Sequence, residues 1–119
     1  MPLLKYYYAD DIPVYSTSIS YSGSVNALQD RDLDGLIFCD MPWVFTHQME
    51  AQNWPEQLNS YNRLYALGMD SYILTTKLRQ LSLSPASINE KSGILYLNDA
   101  NVIRLSSWGK FKQGVPEPL

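Results

Sequence analysis

The order of elements (strand, then helices, then a β-hairpin) places this chain in the α/β or α+β class, and three observations predict it. Residues 33–39 form an apolar run bounded by Gly35 and Asp40, of a length that favours a buried strand over a helix. Residues 63–81 carry Leu67, Leu74, Leu78 and Leu81 at helical spacing, one stripe on one face. Residues 93–97 and 102–105 are strand-forming and flank Asn98-Asp99-Ala100-Asn101, with Asn and Asp supplying the turn.

The first of these runs is apolar at nearly every position, which predicts burial on both faces, as in a parallel sheet. Its one cysteine, Cys39, reads as a small buried hydrophobe. Before it, residues 3–9 are aromatic and leucine-rich and read as the last two turns of a helix. Residues 12–17 are strand-forming, with Pro13 where no ladder donor is needed. Residues 19–32, rich in Ser, Gly, Asn and Asp, read as a loop. After the turn at Met41-Pro42-Trp43, a short helix is expected over 44–53. A further helix should start at Trp54-Pro55-Glu56, because proline suits the first helical position. Gly68 inside the long helix costs about 1 kcal/mol relative to Ala, so a close approach to a neighbouring backbone is expected there, and Gly68→Leu should be strongly destabilising. Residues 82–92 read as a polar loop and 114–118 as an extended tail.

Size and charge narrow the function. At 119 residues the chain suits one domain, and 45% hydrophobic with 18% charged residues is enough to build a core. The net charge of -3, with no Lys/Arg cluster beyond Lys110 and Lys112, excludes a phosphate-tracking nucleic-acid binder. No run approaches the ~20 apolar residues that span a bilayer. Met1-Pro2-Leu3-Leu4-Lys5 has no signal-peptide features, so the chain by itself reads as soluble and unexported.

Catalytic and metal signatures are weak. Asp30-Arg31-Asp32-Leu33-Asp34-Gly35 fits the start of an EF-hand loop, but the twelfth position is Met41, where calcium needs a bidentate Glu, and Asp40 stands one residue early. A solvated acidic turn before a strand is the expectation. His47 is the only histidine, so zinc sites built on several histidines are excluded; it reads as a surface or interface residue. No G-x-S-x-G elbow and no phosphate-binding glycine loop is present. No metal, cofactor or catalytic residue is expected. Nine tyrosines and three tryptophans are the remaining resource. Tyr6-Tyr7-Tyr8, Met41-Pro42-Trp43 and Trp54 are candidates to line a cleft or a protein interface.

Three strings, in this order, carry a resemblance: LLKYYYADDIPVYSTS (3–18), DRDLDGLIFCDMPW (30–43) and RLYALGMDSY (63–72). Together they resemble the LppC family of outer-membrane lipoproteins, also called the LpoA family; the closing hairpin, with Trp108 and Phe111 ahead of Gly114, is similar too. The resemblance covers essentially the whole chain as a single partial domain, residues 1–119, matching the later part of the family's C-terminal domain. It implies an α/β fold of the type I periplasmic-binding-protein kind: two parallel-sheet lobes with flanking helices, a cleft between them and a C-terminal β-hairpin. Residues 14–18 would be a strand of one lobe, 36–43 would run near the crossover, and the helix from Arg63 would belong to the other lobe.

The resemblance further implies a non-enzymatic regulator that stimulates a class A penicillin-binding protein, a bifunctional peptidoglycan synthase, from the periplasmic side of the outer membrane. Membrane attachment would come only through a lipid anchor that these residues do not carry. A second reading, by analogy of fold, is a solute-binding module with a cleft near Ser16, Ser18, Asp40, Trp43 and Asp70; the same five residues are the candidates for an interface. A third is a truncated remnant without function, which would aggregate or fail to fold.

Overall fold

The computed structural model describes residues 2–9, 11–47, 61–84 and 86–119. Helix α1 spans Pro2–Tyr6 and strand β1 only Tyr15–Ser16. Two 3₁₀ turns, Ser18–Ser20 and Asp30–Leu33, interrupt the expected loop. Strand β2 is Ile37–Asp40, α2 is Pro42–Thr46 and α3 is Asn62–Leu83. Five strands follow: β3 Ser87–Glu90, β4 Gly93–Asn98, β5 Asn101–Leu105, β6 Ser107–Lys112 and β7 Val115–Pro118. The short helix expected over 44–53 starts two residues earlier, at Pro42, where proline suits the first turn, and closes at Thr46 with His47 as its C-cap; the helix expected to start at Trp54 lies outside the described residues.

Two sheets result. One has the order β1-β2-β6-β7, the other β3-β4-β5. The β1–β2 pair is parallel, with Tyr15 opposite Ile37 and Ser16 opposite Phe38; the other pairings are antiparallel. The four-stranded sheet is therefore mixed. It places β1, within residues 14–18, beside β2, within residues 36–43.

Burial along β2 alternates, which corrects the expectation of two buried faces. Phe38 and Asp40 point into the core, while Ile37 and Cys39 are half-buried on the other side. Cys39 is thus not fully enclosed; it pairs with Trp108 on the more open face. There Trp108 and Tyr15 meet edge to face, ring centroids 6.1 Å apart, and both remain exposed. The inward face stacks Phe38 on Phe111 at 5.0 Å, with Tyr21 and Phe45 tilted against them. Gly109 in β6 is required by this packing, because a Cβ there would overlap the Phe45 ring.

The long helix is present, but it presents a different face. Asn62, Ala66, Asp70 and Leu81 are buried, whereas Leu67 and Leu78 are 42% and 45% exposed. Periodicity of apolar residues misses this face because two of its inward residues are polar and hydrogen-bonded. Gly68 is exposed, and a Cβ there would meet nothing within 4 Å, so the expected close approach does not exist. The polar stretch 82–92 holds β3, which pairs with β4 through Ile88–Leu95 and Asn89–Ile94. Its composition hid it: Ser87-Ile88-Asn89-Glu90 holds a single apolar residue.

Candidate functional site

Parallel strands β1 and β2 end on the same edge of their sheet, at Ser16 and Asp40. In open α/β sheets ligands bind in the crevice beyond such carboxyl ends. Here an arginine of the chain itself occupies that place. Arg63, in the first turn of α3, donates from Nε to both Asp40 carboxylate oxygens at 3.0 and 3.1 Å. Its Nη2 donates to Asp40 Oδ2 at 2.6 Å and to the carbonyl oxygens of Ser18 and Tyr21 at 3.3 and 2.8 Å. Asp40 also accepts the Met41 amide at 2.8 Å. The buried carboxylate is therefore paired and hydrogen-bonded, the condition under which a charge is tolerated inside a protein.

Trp43 and Asp70 build a second junction nearby. Proline at the start of α2 sets the turn that leaves Trp43 facing α3. Its indole N–H donates to Asn62 Oδ1 at 2.5 Å, and its ring lies against His47 and Tyr65. The Trp43 amide donates to the Lys91 carbonyl at 3.0 Å, and Lys91 Nζ sits 5.9 Å above the ring centroid. From α3, the Asp70 carboxylate accepts the amides of Lys91 at 3.2 Å and Ser92 at 2.5 Å. The tight β3–β4 turn is thus clamped from both helices, and Lys77 to Glu90 at 3.0 Å adds an ion pair between α3 and β3. A shallow groove of about 350 Å³ opens beside this junction, between Trp43, Thr46 and His47 on α2 and Asn89, Glu90 and Lys91 on the turn.

Of the five candidates, Ser18 and Asp40 converge on Arg63, while Trp43 and Asp70 converge on the β3–β4 turn. Ser16 is half-buried at the end of β1 and joins neither cluster. The groups that organise both clusters, Arg63, Asn62 and the Lys91-Ser92 backbone, were not among the candidates. No local spacing could have found them, since 23 residues separate Arg63 from Asp40 and 21 or 22 separate Asp70 from the turn. His47 stacks on Trp43 and lies within hydrogen-bond distance, 2.8 Å, of Thr46 Oγ1.

The acidic turn is a structural element. Residues Asp30–Leu33 form a 3₁₀ turn, and Asp34 accepts the Gly114 amide at 2.7 Å. Among the described residues no group of three or more His, Cys, Asp or Glu side chains is placed to hold a metal ion. Burial pushes the Tyr21 phenol well above its ordinary range, with the charge of Asp30 adding to it. Burial likewise raises the Asp30 carboxyl. Both shifts favour the neutral form through loss of water. Among the described residues no helix is long and apolar enough to cross a membrane.

Residues 1–114 match the model of the LppC lipoprotein family. The penicillin-binding protein activator LpoA of Vibrio vulnificus is 38% identical over 103 residues, 80% of this chain and 16% of that protein. The chain thus spans about a sixth of the length of the curated relatives it matches. Among solved structures, the LpoA C-domain of Haemophilus influenzae, described as a regulator of PBP1A, aligns with a TM-score of 0.74 at 23% identity. That alignment covers 98% of this chain and 40% of the other. A Chromobacterium violaceum protein named for a branched-chain amino acid ABC transporter aligns with a TM-score of 0.57 at 31% identity, over 85% of this chain and 35% of its own. These likenesses agree with the α/β, periplasmic-binding-protein-like fold expected from the sequence.

Proposed function

The chain belongs to the LppC lipoprotein family, and from that premise we propose that it is a non-catalytic regulator that activates a class A penicillin-binding protein in peptidoglycan synthesis. Residues 1–119 act in this reading as the later part of a binding-protein-like domain, on the periplasmic side of the outer membrane, with a lipid anchor supplied from outside these residues. The relatives named as activators and the C-domain described as a regulator of PBP1A support it.

The observation that favours regulation over solute binding is Arg63. A solute-binding domain of this fold keeps the crevice at its strand ends open for a ligand. In this chain the guanidinium already fills the hydrogen-bonding positions that Asp40 and the Ser18 and Tyr21 carbonyls offer. Asp40, Trp43 and Asp70 are in this reading positioning residues that fix the two sheets and helices of an interaction surface. The open face of the mixed sheet, with Tyr15 and Trp108 exposed, has the aromatic composition that protein interfaces favour.

The test is a pull-down of detergent-solubilised inner membranes on the immobilised chain, run beside a thermal-shift screen with amino acids and muropeptides. Capture of a class A penicillin-binding protein, with no ligand shift in which Arg63 takes part, supports regulation. A saturable shift that depends on Asp40 and Ser18, without capture, supports solute binding instead. A chain that aggregates under native conditions would favour the remnant.

A further inference from the structure

We propose that β5 is a self-pairing edge, through which two copies of this chain join their three-stranded sheets into one sheet of six strands. The other three sheet edges among the described residues are blunted, as natural proteins blunt edges against unwanted pairing. β1 has two residues, β7 carries Pro116 and Pro118, and β3 is short and polar, with Glu90 bound to Lys77. β5 has five residues, no proline, and the exposed aliphatic side chains of Val102 and Leu105. It lies at the end of its sheet and pairs with β4 alone.

The outer side of β5 offers unpaired backbone groups. The two-residue turn Asp99-Ala100 makes Asn98 and Asn101 the closing hydrogen-bonded pair of the hairpin. Alternation then turns the backbone of Asn101, Ile103 and Leu105 toward β4. The Leu105 carbonyl accordingly lies where a Cβ on Gly93 would fall. The N–H and C=O groups of Val102 and Arg104 point away from the sheet, and among the described residues neither makes a backbone hydrogen bond to another element. A groove of about 320 Å³ opens between Leu67 and Leu74 of α3 and Val102 and Arg104, so the helix does not overhang this edge.

A second copy fits because the strand is complementary to itself. Antiparallel pairing about a two-fold axis at Ile103 sets Val102 of each copy opposite Arg104 of the other. These are the residues whose backbone groups are free to exchange hydrogen bonds. Each guanidinium then faces an aliphatic side chain, and like charges never stand opposite one another. Ile103 meets Ile103 as a non-hydrogen-bonded pair, where side chains come closest. Within one copy Ile103 stands opposite Tyr96, so the row Tyr96-Ile103-Ile103-Tyr96 runs unbroken across the joint. The contact is isologous and closes at two copies, because the β3 edge that remains is the polar one. The pairing is separate from the Asp40–Arg63 crevice and does not depend on the regulatory reading.

The experiment combines sedimentation of the purified chain over a range of concentrations with hydrogen exchange at its ends. The expected result is a mass that doubles as concentration rises, with the amides of Val102 and Arg104 gaining protection while those of β3 do not. Ile103→Lys and Ile103→Glu should each sediment as a monomer, since each sets like charges across the axis. An equimolar mixture of the two should restore the dimer. If a variant fails to fold, exchange in the parent chain decides alone. A parent that stays monomeric throughout, a dimer without added protection at Val102 and Arg104, a folded Ile103→Lys that still dimerises alone, or folded variants that stay monomeric when mixed would overturn the proposal.

Discussion

Arg63 Nη2 lies 2.6 Å from Asp40 Oδ2, joining the first turn of the long helix to the end of a central strand. The Asp40 side chain is almost wholly enclosed, while that of Arg63 keeps a quarter of its surface in water. Removing the arginine leaves a buried carboxylate with only the Met41 amide for company. Arg63→Met should therefore cost about 3 kcal/mol, the lower end for breaking a buried pair because water can reach one side. Arg63→Lys should recover only part of this, since an ammonium cannot make the forked contact. Urea unfolding of the two variants checks both statements.

Asp70 is the corresponding fastener for the hairpin sheet. Asp70→Ala strips the Lys91 and Ser92 amides of their acceptor, a loss of about 1–3 kcal/mol for buried donors left unpaired. Hydrogen exchange should locate the damage: the Lys91 and Ser92 amides lose protection first. Uniformly retained protection at these two amides would show that the carboxylate does not hold the turn.

Two glycines separate packing from conformation. Gly68 faces open space on a helix, so Gly68→Ala should stabilise the chain by about 1 kcal/mol through helix propensity alone. Gly109→Ala should destabilise it by about 1–3 kcal/mol, because the added methyl overlaps the Phe45 ring. Thermal melts of the pair should move in opposite directions.

Burial raises the Asp30 carboxyl above its ordinary value of 3.8. The folded state therefore prefers the protonated acid. That contribution is full below the ordinary value and is lost as pH rises through the higher folded one. Asp30→Asn is neutral throughout, so it should match the parent near about pH 3 and gain on it toward neutrality. Denaturation midpoints at the two pH values test the sign.

The parts of the fold that the sequence revealed are those where one residue type dominates a local pattern. The run ahead of Asp40 and the turn at Asp99-Ala100 are of this kind. The long helix was legible as a helix, yet not in its orientation, because Asn62 and Asp70 took inward positions that hydrophobic spacing assigns to leucines. Strand β3 was invisible because its neighbours, not its composition, make it a strand. At the candidate site Asp40 and Asp70 each sit in a hydrogen-bonded junction. Their partners Arg63, Asn62 and the Lys91-Ser92 turn are joined to them only by folding, so no spacing along the chain could name them.

The proposed regulation requires this chain to touch a peptidoglycan synthase. Its most direct measurement is a binding titration of the purified, folded chain against a purified class A penicillin-binding protein, with the synthase's glycan polymerisation followed in the same samples. Saturable binding accompanied by a rise in the synthase's rate is the expected result. A chain with the cooperative unfolding of a native protein that neither binds the synthase nor alters its rate would contradict it.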